Sequence, residues 1–529
     1  MNNKTTWTGL IIILLPIIMW AQDTHEFTDP AFNNGLTKNY YPTTWGGAFR
    51  DMLMLDDDRV LMAGRAKVDR QNTDFVGIAA HTDGRTDSTF GVDGTVLIDL
   101  ETELDICEGV DRQSDGRILM AGSASFSYGA VVGIHPHGVI DSSFAEDGKL
   151  LFNYTSWSYS GFIYDIKVAS DDGFYVTGYR DNGASRELML TRFNAQGVLD
   201  ESFADEGYPN DNGFALIDMG GTKDYGQHIL LQEDDKILVV GQSDYYLRIV
   251  RFHPDGRVDS TYGENGIAAA SLRVYQTSDH KFHGTFQDDG KLLVAGYGHY
   301  ADDNTNDMAV VRLTAEGRID STFGDNGYAH ADFTGGQDEG HIVALDEQQR
   351  IFVGGRATIE NGQSRMGVAG FTSEGQLDTT FAHKGLATTY GFRIYRMVFD
   401  DNNKILAAGF SGQDVGNGGF SLTRLMPAGS ATILQNDPAS MVFHFSLMPN
   451  YPNPFNPSTT IRYRLKTTAP VHLAVYDARG RYIQTLVKGR QSAGRHEIDF
   501  RADHLASGVY FYRLKSGSHE QIRRMILLK

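Results

Sequence analysis

The chain has 529 residues, a formal net charge of −20 and one cysteine, Cys107. A single cysteine excludes an intrachain disulfide framework and a cluster of thiolate metal ligands. The charge is unevenly distributed, because residues 444–529 carry 14 Lys and Arg against 5 Asp and Glu, which leaves 32 basic and 62 acidic residues in 23–443. An acidic body of this size argues against nucleic acid as a partner, since phosphate binding needs a basic surface.

Residues 1–21 have the build of a secretory signal peptide. Lys4 provides a positive start, Leu10–Met19 form a short apolar core, and Ala21 is a small residue suited to cleavage before Gln22. The core is too short for a membrane span, and no later segment is apolar over the length that a span requires. We therefore expect an exported chain whose mature form has no transmembrane segment.

A short phrase recurs seven times, with Asp at its start and Phe or Tyr three residues later. The starting residues are Asp29, Asp87, Asp141, Asp200, Asp259, Asp320 and Asp378. Successive starts lie 54 to 61 residues apart. A period in this range is typical of solenoids, propellers and arrays, so most of the chain is one repeated architecture.

Each repeat also contains a polar turn and an apolar strand that ends in Gly, as in Gln113–Gly122 and Gln287–Gly296. A second apolar run and another turn follow, as in Leu247–Gly256. Asp-Gly between apolar runs indicates a β-hairpin, because both central residues of a type I′ turn need positive φ. The pattern predicts about four short strands in each repeat and no helix.

The predicted strands are apolar on both faces, as in Ile118–Ala121. Both faces must then be covered, as they are when four-stranded blades pack around an axis. The first phrase precedes the first repeat, whereas the seventh repeat stops at Gly429 without a closing phrase. Because the first phrase can complete the last blade, we predict an all-β, closed seven-bladed β-propeller of about 58-residue repeats, with an open β-solenoid as the alternative.

The repeat resembles that of a known family. Asp320–Gly324, read as Asp-Ser-Thr-Phe-Gly, and the Gln287–Gly296 strand are similar to the unit of the delta-60 repeat proteins. The resemblance covers residues 27–429 and implies a propeller-type repeat without catalytic residues. We place the propeller at 22–429 and a linker at 430–443.

Residues 444–529 contain alternating strands that predict a small antiparallel, Ig-like β-sandwich. Their motifs Tyr451–Phe455, Val475–Arg481, Ala493–His496 and Leu505–Phe511 resemble the type A (Por) sorting domain of the type IX secretion system. The matching residues are Pro452, Asn453, Pro454, Phe455, Tyr476, Asp477, Gly480, Gly508 and Tyr510. The resemblance implies handling by the type IX machinery and delivery to the cell surface or the medium.

An acidic turn precedes the apolar strand in every repeat, and its members are candidate metal ligands: Asp57, Asp115, Asp172, Asp235 and Asp289. Repeat symmetry would place these turns on one rim of the ring. Such a rim could bind Ca²⁺, which takes oxygen ligands from loops, or a basic partner. The alternative is that Asp simply favours these turns.

An aromatic stretch offers candidates for stacking against a sugar ring or a partner protein, namely Tyr154, Trp157 and Tyr159. The alternative is that residues of this stretch belong to the core of a blade.

Catalytic signals are weak. His280 with His283, and His135 with His137, lack the further ligands of a zinc site, and no Gly-x-Ser-x-Gly elbow or P-loop occurs. We therefore interpret the chain as an exported, non-enzymatic binding or adhesion propeller without a cofactor. The alternative is a glycan-active hydrolase or lyase, which carboxylates or histidines that break the repeat symmetry at the channel mouth would favour.

Overall fold

The structure is a computed structural model. It describes residues 29, 32, 38–40, 47–56, 58–69, 71–154, 160–204, 212–273, 281–298, 305–359, 362–400, 402–410, 419–426, 446–447, 450, 453–465, 468–492, 494–517 and 519–528. Within these ranges every regular element is a β-strand, as the hairpin signals predict. The proposed signal peptide with Ala21 and Gln22, the linker 430–443, Asp57, Trp157, Tyr159 and Pro452 lie outside the described residues.

The strands follow the repeats in chain order. Repeat 1 contains β2 (Gly47–Met54), β3 (Arg59–Lys67), β4 (Thr73–His81) and β5 (Thr95–Ile98). Repeat 2 contains β6 (Asp105–Arg112), β7 (Ile118–Ala124), β8 (Tyr128–Ile134) and β9 (Lys149–Asn153). Repeat 3 contains β10 (Gly161–Val168), β11 (Phe174–Asp181), β12 (Arg186–Phe193) and β13 (Phe214–Ile217). Repeat 4 contains β14 (Asp224–Leu231), β15 (Ile237–Ser243), β16 (Tyr246–Phe252) and β17 (Ile267–Arg273).

Repeat 5 contains β18 (His283–Phe286), β19 (Leu292–Gly298), β20 (Asp307–Leu313) and β21 (Tyr328–Ala331). Repeat 6 contains β22 (Glu339–Leu345), β23 (Ile351–Thr358), β24 (Ser364–Phe371) and β25 (Leu386–Thr389). Repeat 7 contains β26 (Arg393–Phe399), β27 (Ile405–Phe410) and β28 (Phe420–Leu425). Each repeat is an antiparallel meander, and the fourth strand of repeat 7 is β1 (Lys38–Tyr40) from the beginning of the chain.

The repeats close into a ring. The first strand of each repeat lies against the first strand of the next, and β26 lies against β2. The structure confirms that the N-terminal segment completes repeat 7, since β1 pairs with β28. Repeats 4 and 5 share one continuous sheet, joined at Arg273 and Tyr297. The fold is therefore an all-β propeller, while the count of seven separate blades stays a prediction.

The core is divided into clusters between neighbouring repeats. Phe75 and Phe90 of repeat 1 pack with Met120 and Val132 of repeat 2, and the pattern recurs around the ring. Cys107 lies fully buried in the first of these clusters, where it serves as a small apolar residue. Both faces of each sheet are thus covered, which accounts for strands that are apolar on both sides.

The recurring phrase stabilises each repeat. Its aromatic residue is buried in every copy, and its Asp pairs with Arg or Lys, as Asp320 does with Arg312 at 2.9 Å and with Lys291 at 3.3 Å. Burial alone would raise the pKa of Asp320, but hydrogen bonds from Thr322 and these cations hold it at about 2. The phrase therefore has a structural role in each repeat.

The C-terminal residues form two small sheets around one core. One sheet is β29 (Ser446–Leu447), β30 (Ser458–Leu465) and β33 (Gly494–Arg501), in that spatial order. The other has the spatial order β32 (Tyr482–Gln491), β31 (Ala469–Asp477), β34 (Gly508–Ser516) and β35 (His519–Leu527). Tyr463, Tyr512 and Leu514 are among the side chains buried between them. The predicted sandwich is confirmed.

Candidate functional site

The ring axis is lined by the first strands of the repeats, and six of these strands carry a β-bulge. The unpaired residues at the bulges are Arg50, Glu108, Tyr164, Gln227, His341 and Tyr395. A bulge inserts one residue and redirects the side chains around it. The repeats therefore present chemically different groups to the axis, although they share the same order of strands.

One ion network spans the axis. Nε of Arg50 lies 2.9 Å from Oε1 of Glu108, and Nζ of Lys281 lies 2.6 Å from the other carboxylate oxygen. Lys281 Nζ also donates hydrogen bonds to the backbone carbonyls of Glu108 and Tyr164, at 3.2 and 2.8 Å. Because Lys281 belongs to repeat 5 and its partners to repeats 2 and 3, its side chain crosses the axis.

A second group lies beside this network. Nε of Arg396 is 2.5 Å from Oδ1 of Asp51, and Nδ1 of His228 is 3.0 Å from Oδ2 of Asp165. The ring of His228 stacks on that of His283 at 3.9 Å between centroids. These contacts join repeat 7 to repeat 1, and repeat 3 through repeat 4 to repeat 5.

Burial and charge set the protonation of this group. Burial, together with the electrostatic influence of His228, Arg396 and Lys167, holds the pKa of His283 well below its usual range. Burial would raise the pKa of Asp165, but the hydrogen bond with His228 and the nearby cations keep it below its ordinary value. Asp165 is thus ionised, and it orients His228 through Nδ1.

The axis residues could act in two ways. An Asp–His pair is the arrangement of a general base, and it breaks the repeat symmetry. Each of these carboxylates nevertheless already has a partner, since Glu108 pairs with Arg50 and Lys281, Asp51 with Arg396, and Asp165 with His228. Buried charges persist only when they are paired in this way.

Sequence reasoning missed these residues. Asp51, Asp165, His228 and Arg396 occupy the position after the bulge in different repeats. An alignment of the first strands of the repeats at that position could have found them, because the residue type there changes from repeat to repeat. His283, which was considered only as a metal ligand, belongs to this group.

The acidic turns lie together at one end of the ring, between the first and second strands of each repeat; we call this the acidic end. Neighbouring turns touch, as when Ser114 donates to Asp172 through its backbone N at 2.6 Å and its hydroxyl at 2.5 Å. Asp115 caps the turn at Arg117, and Asp289 lies 3.1 Å from Nζ of Lys291. Asp235 occupies a turn position with φ of 61°. These carboxylates thus lie in successive turns and do not converge on one point.

A different acidic group does converge. Within the described ranges, the one set of three potential metal-ligating side chains with mutually close donor atoms is Asp74, Asp99 and Asp105. It lies between repeats 1 and 2 at the opposite end of the ring. Burial and the charges of the other two carboxylates raise the pKa of Asp74 to about 6. Asp105 accepts hydrogen bonds from Leu100 N at 2.8 Å and from the Thr102 hydroxyl.

The expected stacking candidate Tyr154 is only 1% exposed, and its hydroxyl lies 2.9 Å from Oγ of Ser123. Phe162 and Tyr164 of the same stretch are buried as well. The described part of the aromatic stretch therefore belongs to the core, and Tyr154 has no surface to offer a ligand. This corrects the stacking interpretation for that residue.

Exposed aromatic side chains lie elsewhere, at the end opposite the acidic turns; we call this the aromatic end. In the described part of the ring they are Phe126, Tyr128, Tyr245, Tyr246 and Tyr390. All five lie in or beside hairpins between second and third strands or in connections between repeats. The Arg273 guanidinium donates to the Tyr246 hydroxyl at 2.6 Å and lies 4.9 Å from its ring centroid. The two ends of the ring thus differ in chemistry.

Phe126 is held out by an unusual turn. Ser125 and Phe126 have φ of 51° and 57°, and Ser127 N donates to Ala124 O at 3.1 Å, as in a type I′ turn. Such φ values favour Gly or Asn, and a bulky residue there is strained. The side chain of Phe126 is nevertheless 43% exposed and touches Phe162.

The sorting motifs are structural within the C-terminal domain. The Asn453 side chain accepts from Ile526 N at 2.8 Å, and Phe455 exchanges backbone hydrogen bonds with the last strand. Asp477 caps the turn that contains Gly480, the Tyr510 hydroxyl donates to Ala506 O at 2.8 Å, and the Arg513 guanidinium donates to the Tyr476 hydroxyl. Pro454 follows a cis peptide bond, and Gly508 begins β34. These residues hold the last strands in place.

Comparison with known families agrees with this division. The profile of the secretion-system C-terminal sorting domain matches residues 450–528. A domain of unknown function described as a β-propeller (DUF5122) matches 232–262, 287–323 and 350–381. The chain is a β-propeller protein with a C-terminal sorting domain. More particularly, its tail is of the type IX secretion class, which directs it to the cell surface or the medium.

Solved structures with similar folds include enzymes and a surface protein. A fungal alcohol oxidase of the AA5 family in complex with copper is 11% identical, covers 91% of this chain and 99% of its own, and has a TM-score of 0.40. PorZ of Porphyromonas gingivalis, a surface component of the type-IX secretion system, is 12% identical, covers 92% and 82%, and has a TM-score of 0.32. The polysaccharide lyase Uly1 is 11% identical, covers 74% and 91%, and has a TM-score of 0.40. Such distant likenesses carry no argument about activity.

No curated protein sequence matches the chain. Among the described residues no helix is long and apolar enough to cross a membrane.

Proposed function

We propose that the chain is an exported, non-enzymatic binding protein that contacts its ligand through the aromatic end of the ring. This proposal rests on the observation that all five exposed aromatic side chains of the described ring lie at that end. Aromatic rings supply large contact areas at small entropic cost and dominate binding energy in many interfaces. The division into 1–21, 22–429, 430–443 and 444–529 is part of the same proposal.

The axis supports a structural role in this proposal. Its carboxylates are paired with cations of other repeats, and Lys281 crosses it to reach Glu108. A substrate would have to displace these pairs to reach a free acid or base. Such a network instead ties the repeats together across the ring.

A second candidate function is a glycan-active hydrolase or lyase with its site on the axis. The observation that favours it is the Asp165–His228 pair beside His283, which breaks the repeat symmetry. In this candidate His228 would accept a proton through the nitrogen that does not face Asp165.

One experiment separates the two functions. The purified, exported protein is applied to immobilised polysaccharides, and both retention and product release are measured. Retention without release, lost in a Phe126→Gly/Tyr246→Ala variant and kept in a Val139→Ala/Val198→Ala control, supports the binding function. The control removes exposed apolar atoms at the acidic end instead. Turnover that His228→Gln abolishes would replace the binding function by the enzymatic one.

A further inference from the structure

The sorting domain has one sheet face that its own core does not use. In β34 and β35 the side chains of Tyr510, Tyr512, Leu514, Met525 and Leu527 point into the core. The alternate positions point outward. An antiparallel sheet with one solvated face ordinarily places polar residues there.

Half of the outward positions on these two strands are apolar. Val509 is 38% and Ile522 56% exposed, and Tyr482 on β32 is 58% exposed. Phe511 lies between them on β34, opposite Arg524 on β35. Arg513 faces Ile522 across the same two strands. Tyr482 adjoins this surface through Tyr476 of β31, which pairs with Tyr482 on one side and with Phe511 on the other. We define Tyr482, Val509, Phe511, Arg513, Ile522 and Arg524 as the outer face.

The outer face also carries positive charge. Arg513, Lys515 and Arg524 outnumber the one outward carboxylate of these strands, Glu520. Arg513 lies 3.6 Å from Glu520, whereas among the described residues the Arg524 guanidinium has no carboxylate partner. The whole of 444–529 has an excess of nine basic residues. Guanidinium groups beside apolar side chains recognise carboxylates with good geometry and add aromatic or aliphatic contact.

The motif residues cannot account for this surface. Asn453, Phe455, Asp477 and Tyr510 make hydrogen bonds within the domain, and Tyr510 is buried. They fix the last two strands, whose outward side chains are then displayed in register. The motifs build the scaffold. Of the outer face, Val509 and Phe511 belong to the motif Leu505–Phe511, whereas Tyr482, Arg513, Ile522 and Arg524 lie outside the named motifs.

We propose that the outer face is the surface by which the export machinery binds this chain, and that the partner presents carboxylates around an apolar groove. Charge complementarity selects an acidic partner, and the continuous apolar centre fits a specific protein contact, since exposed apolar patches rimmed by charge mark interaction sites. The inference does not depend on what the propeller binds. It concerns how the chain leaves the cell.

The test uses the full chain in a bacterium with type IX secretion. Arg513→Glu/Arg524→Glu should lower the extracellular amount by about tenfold, since two reversed charges cost more than the 1.4 kcal/mol that one tenfold factor represents. The folded protein should accumulate in the periplasm. The melting temperature should fall only through the lost contacts of Arg513 with Tyr476 and Glu520, and Arg524→Glu alone should reduce export with an unchanged melting temperature. Arg479→Glu/Arg501→Glu is the control, because it changes the charge equally at exposed positions off the outer face, and its export should be normal.

Further variants separate recognition from folding. Ile522→Ser should also reduce export with the melting temperature kept, and it serves if the double variant fails to fold. Asp477→Asn, in the scaffold, should lower stability and export together. Normal export of Ile522→Ser and of the double variant would overturn the proposal, as would equal loss in the control. Unchanged ligand retention by the exported fraction would show that the propeller is unaffected, so this proposal and the binding function fail separately.

Discussion

Asp29 forms an ion pair with Arg424, with 2.8 Å between Oδ2 of Asp29 and Nε of Arg424, although the two residues lie at opposite ends of the ring-forming segment. Asp29 also pairs with Lys404, 375 residues along the chain, and its backbone N donates to Arg424 O. The first copy of the recurring phrase thus fastens the last repeat as the other copies fasten their own. Ring closure depends on this contact and on the pairing of β1 with β28.

Asp29→Asn should open this closure. The carboxylate is buried and pairs with two cations, so its removal leaves them under-compensated, and we expect a loss of about 3 kcal/mol in the free energy of unfolding. Urea denaturation measures it. Asp115→Asn, which alters an exposed carboxylate, should change stability little. Equal effects of the two variants would contradict a closing role for Asp29.

The Asp carboxylates of the recurring phrase should make the stability of the ring sensitive to acid. The folded-state pKa of Asp320, about 2, lies below its ordinary value of 3.8. Its stabilising contribution is therefore present above pH 4 and lost as the pH falls toward 2, and it amounts to about 2 kcal/mol at neutral pH. The stability difference between the natural chain and Asp320→Asn should shrink over that window. A difference that does not vary with pH would contradict this linkage.

Asp74 should give the stability of the fold the opposite pH dependence. Its pKa is raised to about 6, so its contribution to stability is greatest below pH 3.8 and is lost as the pH rises through 6. Asp74→Asn should therefore be more stable than the natural chain at pH 7.5 by about 1 kcal/mol, a value reduced for solvent screening. The two should match at pH 4. Thermal denaturation in EDTA measures both, and a destabilised variant at pH 7.5 would contradict the expectation.

Lys281 and Glu108 should prove energetically coupled. Lys281→Met removes the side chain that crosses the axis and leaves Glu108 with Arg50 alone, so we expect a loss of about 2 kcal/mol. Glu108→Gln/Lys281→Met should lose less than the sum of its single variants by about 1 kcal/mol or more. Lys488→Met, at an exposed position in β32, is the control. Strict additivity of the two axis variants would argue against a shared network.

Phe126 should display a conflict between stability and binding. Glycine adopts positive φ without strain, so Phe126→Gly should be more stable than Phe126→Ala by about 1 kcal/mol, the reverse of the usual order within an element. Both variants should bind the ligand less well, because both lack the exposed ring. Calorimetry and the polysaccharide retention assay together check this. An alanine variant as stable as the glycine variant would show that the turn is unstrained.

The repeat, its hairpins, the closing role of the first phrase and the C-terminal tail could all be predicted from the amino-acid sequence. These features depend on local chemistry, such as Asp-Gly turns, apolar strands and the Asp320-type phrase, that recurs at a fixed period. A period is visible without knowing which repeats touch. The sorting motifs were visible for the same reason, because Asn453–Phe455 and the Asp477 turn are short and contiguous.

Which polar side chains meet could not be predicted from the sequence, because it depends on how the repeats close into a ring. Lys281 reaches Glu108, 173 residues away, because ring closure brings repeat 5 opposite repeat 2. A one-residue bulge decides whether a side chain faces the axis or the core, and no period shows it. Burial likewise assigned Tyr154 to the core and left Phe126 outside. The strands could therefore be predicted from the sequence, whereas the surfaces available for binding depend on how those strands are arranged in space.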